Sequence, residues 1–145
     1  MKLFLTKSLS SVKHSAVLVT ALLLLFSSCK KQDEGTKPLK SKMAGKWEIT
    51  KVETAIAGSA PTTATGSSGD YVDFKSGEDD IVEVNLSPSL QSGTYSVTVG
   101  NSFFMTLGGK LYSCSPTVID DNKFEFTATE QEATPSVVKK YFLTR

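Results

Sequence analysis

The sequence predicts an all-β domain, an eight-stranded antiparallel up-and-down β-barrel, with a two-sheet β-sandwich as the rival architecture. Three observations carry that expectation. From Lys42 onward the apolar residues recur with period two rather than 3.6. Turn residues interrupt them at short intervals, and Gly100-Asn101 and Gly108-Gly109 have the form of two-residue hairpin loops, whose positive φ angles suit primed turns. The 104 residues from Lys42 to Arg145, divided among eight strands, give 13 for each strand and its connection, which fits a simple meander. Closing such a sheet removes two bare edges.

Taken in order, the strands are expected at Lys46 to Thr54, Asp70 to Lys75, Ile81 to Leu86, Gly93 to Val99, Ser102 to Leu107, Lys110 to Ser115, Asn122 to Thr129 and Val137 to Thr144. Lys75-Ser76-Gly77 and Asp120-Asp121-Asn122 supply further turns. A single helical turn is expected at Leu39 to Ala44. The long connection, Ala55 to Gly69, is rich in Gly, Ser, Thr and Ala with Pro61 in its middle, and is expected to be a loop across the barrel mouth, either a lid or an inert surface segment.

The first 28 residues have the layout of a signal. Lys2, Lys7 and Lys13 precede an apolar run from Ala16 to Phe26, eleven residues long and too short to span a bilayer. Phe26-Ser27-Ser28-Cys29 follows and resembles a bacterial lipobox, which implies lipidation of Cys29 and an outer-membrane anchor. Residues 29–41 contain Pro38, Gly35 and many charges, the composition of a flexible tether. Asp33 and Glu34 resemble the surface-export signal of Bacteroidetes lipoproteins, so display at the cell surface is favoured over the periplasmic face. The domain division is therefore 1–28 signal, 29–41 tether and 42–145 barrel.

Removing the leader changes the charge and the chemistry. Its three lysines belong to a total of 16 basic residues, leaving 13 against 15 acids, and no clustered basic surface for nucleic acid remains. The only histidine, His14, lies in the leader. Histidine-activated serine or cysteine nucleophiles and histidine-bearing metal sites are excluded from the mature chain by composition. No cofactor, metal or enzymatic activity is expected.

Gly45-Lys46-Trp47 opens the first strand behind a short turn, and this arrangement resembles the first signature of the lipocalins. The stretch from Met43 to Arg145 is similar to the small lipocalin-like domains of Bacteroidetes lipoproteins. That similarity rests on Ala44-Gly45-Lys46-Trp47-Glu48-Ile49, Tyr71-Val72-Asp73-Phe74, Gly93-Thr94-Tyr95-Ser96-Val97 and the closing Tyr141-Phe142-Leu143. The Thr-Asp-Tyr type signature of vertebrate lipocalins is absent. The resemblance implies a ligand-binding barrel without catalytic residues, with Trp47 closing the floor and Arg145 packed on its face, or Lys139 or Lys140 in that place.

An eight-stranded barrel either fills itself or holds one small ligand. Pairing across the two presumed tight turns sets Val97 against Phe104, Tyr95 against Thr106 and Thr106 against Leu111. Tyr95, Val97, Val99, Phe104 and Phe126 are therefore the expected cavity lining for an apolar or amphipathic ligand. The same register sends Phe103, Met105, Leu107 and Tyr112 to the other face, as an exposed patch for an envelope partner unless a bulge near Asn101 or Ser102 shifts it. Tyr71, Tyr95, Tyr112 and Trp47 form a candidate sugar-stacking platform, although such residues are more often packing. Glu78-Asp79-Asp80 with Glu83, and Asp120-Asp121-Asn122, offer oxygen ligands without EF-hand spacing, and read more simply as wet hairpin tips. Cys114 is left without a disulfide partner and reads as a buried apolar residue. Asp73 and Glu83 on neighbouring strands are a carboxylate pair of undefined separation.

Overall fold

The computed structural model describes residues 38–77 and 79–145. The leader, His14, Cys29 and most of the tether, like Glu78, lie outside the described residues. Among the described residues one short helix, α1 (Leu39–Met43), precedes nine strands: β1 (Gly45–Ile56), β2 (Thr62–Thr65), β3 (Tyr71–Phe74), β4 (Ile81–Leu86), β5 (Ser89–Val97), β6 (Phe103–Leu107), β7 (Lys110–Ile119), β8 (Lys123–Glu130) and β9 (Val137–Thr144). Each of the strands from β3 to β9 pairs antiparallel with its successor, β1 pairs with β3, and β9 returns to β1. The result is a closed eight-stranded antiparallel barrel with β2 as an extra strand. Closure, rather than two facing sheets, satisfies both edges of the meander.

Two features differ from the sequence expectation. The Ala55 to Gly69 segment is not a free loop over the mouth. β1 runs on to Ile56, and β2 folds back along it, with Thr54 facing Thr62 and Lys51 facing Thr65. β1 is long enough to use one edge twice, Gly45 to Glu48 for β3 and Lys51 to Thr54 for β2. In β7 the strand continues past Ser115 to Ile119, through an irregularity between Pro116 and Val118 that absorbs the proline.

A further difference sets which side chains face inward. The β6–β7 connection is the expected two-residue turn: Gly108 and Gly109 both have positive φ, and Thr106 faces Leu111. The β5–β6 connection has only one positive φ, at Gly100. It is a three-residue loop, Val99-Gly100-Asn101, bracketed by Thr98 and Ser102. The Thr98 N–H donates to the Ser102 carbonyl at 3.0 Å, and the two hydroxyls lie 2.7 Å apart. Tyr95 therefore faces Met105, and Val97 faces Phe103. A slip of one residue exchanges the faces of a strand. Phe103, Met105, Leu107, Tyr112 and Cys114 are consequently buried, and there is no outer patch made of Phe103, Met105 and Tyr112. Phe104, Leu111 and Val99 are exposed instead.

The core sits inside the ring of strands. Trp47, Phe74, Phe103, Phe124, Phe126, Met43 and Met105 are its largest fully buried side chains. Ring contacts run without a break from Trp47 to Phe124 (centroids 5.5 Å), to Phe126 (5.0 Å) and to Tyr141, stacked at 4.9 Å. Phe74 makes edge contacts with Tyr95 at 5.3 Å and Phe103 at 5.8 Å. Gly93 allows β5 to bend onto β6, because a Cβ there would lie 1.7 Å from the Thr106 carbonyl oxygen.

Candidate functional site

The two ends of the barrel are unlike. At one end α1 forms a plug: Met43 and Leu39 are buried, and the Trp47 indole N–H donates to the Met43 carbonyl at 2.7 Å. The Arg145 guanidinium carbon stands 3.7 Å from the Trp47 ring centroid, and Nη2 donates to the Ala44 carbonyl. Lys40 on α1 also pairs with Asp80 on the β3–β4 turn at 2.7 Å. This end is sealed by packing, hydrogen bonds and an ion pair together.

The other end, where β6 meets β7 and β8 meets β9, is open in that it carries no helix among the described residues; the strands' own side chains cover the upper layer of the core there. Trp47, Phe74, Phe124 and Phe126 have 0 % exposure, whereas Val84 has 7 %, Tyr112 and Tyr141 have 6 % each and Val52 has 4 %. Alternation along the strands places polar side chains above this layer. Lys139 shares a face with Tyr141, Glu130 with Ala128, and Lys110 with Tyr112. Tyr112 faces Glu130 directly across the β7–β8 ladder. The Lys110 Nζ lies 2.7 Å from Glu130 Oε1, and Lys139 Nζ lies 6.0 Å from the centre of the Tyr112 ring. The open end is thus a shallow surface with an apolar and aromatic base and a charged rim.

Burial dominates the electrostatics of its titratable phenol and thiol groups. Burial first, and then the nearby Glu130 carboxylate, raise the Tyr112 phenol above its ordinary range. Burial pushes Tyr141 up as well. The Cys114 thiol is pushed up to about 12, mainly by burial. All three groups stay protonated at neutral pH, so none is a ready nucleophile or base.

The residues expected to line a cavity do not share one surface. Tyr95 and Phe126 point into the core, and Val97 is half-buried against it. Val99 stands at a hairpin tip and Phe104 on the outer wall, because of the three-residue loop. Tyr95 and Phe126 are packed among other rings. The Tyr95 hydroxyl is buried without a hydrogen-bond partner. The proposed sugar platform is dispersed: Trp47 and Tyr95 are interior, Tyr112 is at the open end, and Tyr71 lies on the outer wall beneath Lys46, whose Nζ is 3.8 Å from the ring centre.

The remaining acidic candidates are occupied in other ways. Asp73 faces Glu83 across β3 and β4, and Glu83 pairs with Lys75 at 2.5 Å. Asp120 accepts from the Asn122 and Lys123 backbone N–H groups at 2.9 and 2.7 Å, closing its turn. Among the described residues no group of three His, Cys, Asp or Glu side chains is placed to hold a metal ion. Sequence reasoning missed Glu130, Lys139 and Lys110, yet the signal was present. Each stands two residues from an inward aromatic or alanine, where alternation puts a charge at the rim. No family model, curated protein or solved structure matches this chain, so the functional argument rests on the barrel and its side chains.

Proposed function

We propose that this protein is a non-enzymatic, lipocalin-like binding module, anchored to the outer membrane through lipid on Cys29, which takes a small amphipathic ligand at the open end of its barrel. The ligand rests on the end rather than threading the barrel, because the interior below Tyr141 is occupied by stacked rings. The observation that carries this reading is an apolar and aromatic layer at the unplugged end (Val52, Val84, Tyr112, Tyr141) that lies directly beneath a charged rim (Lys110, Glu130, Lys139). Apolar burial supplies affinity, and the rim orients the polar head. Among the described residues Lys110 is held by Glu130 whereas Lys139 stands over the Tyr112 ring, so the head group is expected to be anionic.

A naphthalene sulfonate fluorophore, apolar with an anionic head, provides the test. The expected result is saturable one-to-one binding that Lys139→Glu weakens by about tenfold, equivalent to roughly 1.4 kcal/mol, and that Phe104→Ser leaves unchanged. Absence of saturable binding, or binding lost with Phe104→Ser and kept with Lys139→Glu, overturns the proposal. The second result would favour the other reading, a filled barrel serving as a protein-interaction module. That reading is supported by Phe104 and Leu111, which lie exposed beside one another on the outer wall.

A further inference from the structure

Among the described residues β2 is the one strand outside the closed ring, and its four residues are all exposed. The direction of its hydrogen bonds follows from a single contact. The Gly66 N–H donates to the Thr50 carbonyl at 2.9 Å, continuing the register in which Lys51 faces Thr65. In an antiparallel pair, successive residues alternate between bonding to the neighbour and pointing away from it. Thr62 and Ala64, like Gly66, therefore bond to β1, and Thr63 and Thr65 turn their N–H and C=O groups outward. The far edge of β1 agrees: the Ala57 N–H donates to the Ser136 carbonyl at 2.9 Å, so odd-numbered residues of this part of β1 face β9 and even-numbered ones face β2.

Among the described residues nothing pairs with the outer edge of β2. Edges are normally kept single by shortness, proline, charges, bulges or a covering element, and of these β2 has its four-residue length and the preceding Pro61. From Ala55 to Gly69 there is no charged residue, and the β1–β2 register has no bulge. The edge is neutral, threonine-rich and bounded by Pro61 and Gly66.

We propose that two copies of this chain associate by antiparallel pairing of β2 with β2 about a two-fold axis at Ala64. In that register Thr63 faces Thr65 of the second copy on each side of the axis, and each facing pair exchanges two backbone hydrogen bonds. The neighbouring registers fail. Centring on Thr63 brings in Pro61, which has no N–H to give. Centring on Thr65 calls on the Ser67 N–H, already donated to Asp70 Oδ2 at 2.7 Å. The edge is thus self-complementary in one register. Facing threonine pairs add to the interface. On that face Thr63 is backed by Glu53 and Thr65 by Lys51, so the two-fold axis sets opposite charges at the two ends of each row. The second copy is preferred to an arbitrary extended peptide because this fit needs no other sequence.

The test uses two variants of the full chain. At the axis Ala64 faces its own copy in a non-hydrogen-bonded position, where Cα atoms lie about 4.5 Å apart, within disulfide reach. Ala64→Cys is expected to give a covalent dimer on mild oxidation, much faster than Leu90→Cys, an exposed control in β5 beside the β4–β5 turn. Thr65→Pro removes one outward donor and leaves the bonds of Thr62 and Ala64 to β1 intact. The wild type is expected to sediment at twice the monomer mass at high concentration, and Thr65→Pro at the monomer mass with an unchanged circular dichroism spectrum. A wild type that stays monomeric up to its solubility limit overturns the proposal. So does a dimer that persists in Thr65→Pro, or cross-linking of Ala64→Cys no faster than that of Leu90→Cys.

Discussion

The Arg145 guanidinium lies over Trp47 with its central carbon 3.7 Å from the ring centroid, joining the residue after β9 to the start of β1. The contact also holds α1, since Arg145 donates to the Ala44 carbonyl while Trp47 donates to that of Met43. Burial lowers the Arg145 pKa without discharging the group at any working pH, so the cation–π attraction persists in a partly desolvated setting. It adds a side-chain link between β1 and the residue after β9, next to the Glu48–Thr144 pair of the ladder.

Arg145→Ala should therefore lower stability by about 1–2 kcal/mol, the range for a partly desolvated cation–π pair together with a lost hydrogen bond. Trp47→Ala should cost more, about 3–5 kcal/mol, because it empties part of the core. Urea unfolding of the two variants and the double variant checks the coupling. A double variant equal to the sum of the singles would mean the two residues act independently.

Adjacent phenylalanines in β6 give a sharper contrast. Phe103 is 1 % exposed and packs on Phe74 and Phe126, whereas Phe104 is 38 % exposed on the outer wall. Phe103→Ala should cost about 3–5 kcal/mol. Phe104→Ala should fall near the surface range of about 0.5 kcal/mol. Similar urea midpoints for the two would mean that the three-residue β5–β6 loop is wrong.

Gly93 is required by contact rather than by a special φ. Gly93→Ala drives a methyl into the Thr106 carbonyl, so β5 or β6 must move, at a cost of about 1–3 kcal/mol or more. Gly77→Ala meets nothing within 4 Å and serves as the control. Thermal unfolding should separate the two; equal midpoints would mean that β5 does not bend onto β6 at this glycine.

The architecture was legible in the sequence because a β-barrel is written in local terms: period two, short connections and paired glycines. Gly108-Gly109 specified its own turn, and the strand from Ile81 to Leu86 matched residue for residue. Gly100-Asn101 did not, because its register depends on whether Asn101 adopts a positive φ and on the pairing of Thr98 with Ser102, which sequence spacing does not express. That single residue of slip moved Phe104 and Val99 out of the core and Phe103 and Met105 into it. β2 was hidden for another reason: Thr62 to Thr65 has no apolar alternation, and it becomes a strand only because β1 offers a free edge. The rim charges at Glu130 and Lys139 look like ordinary surface residues until closure of the barrel puts them above the core.

Asp70 ties two connections together, and its ionisation should be visible in the acid limb of stability. Its carboxylate accepts from the Ser67 N–H at 2.7 Å and the Ser87 N–H at 2.9 Å, so the β2–β3 segment and the β4–β5 hairpin share one anchor. Those two donors, Ser67 foremost, hold the carboxyl below the usual aspartate range, outweighing the opposite effect of burial. A carboxylate whose pKa is depressed by folding contributes stability above its unfolded value, near 3.9, and loses that contribution as pH falls through the lower folded value. Asp70→Asn leaves one of the two N–H groups without an acceptor and should be less stable than the wild type at neutral pH. As pH falls from about 4 through the lower folded value the wild type loses this contribution while the variant has nothing to lose at this site, so their urea midpoints should converge. Midpoints that stay parallel from neutral to acid pH would show that the Asp70 charge does not hold the two connections.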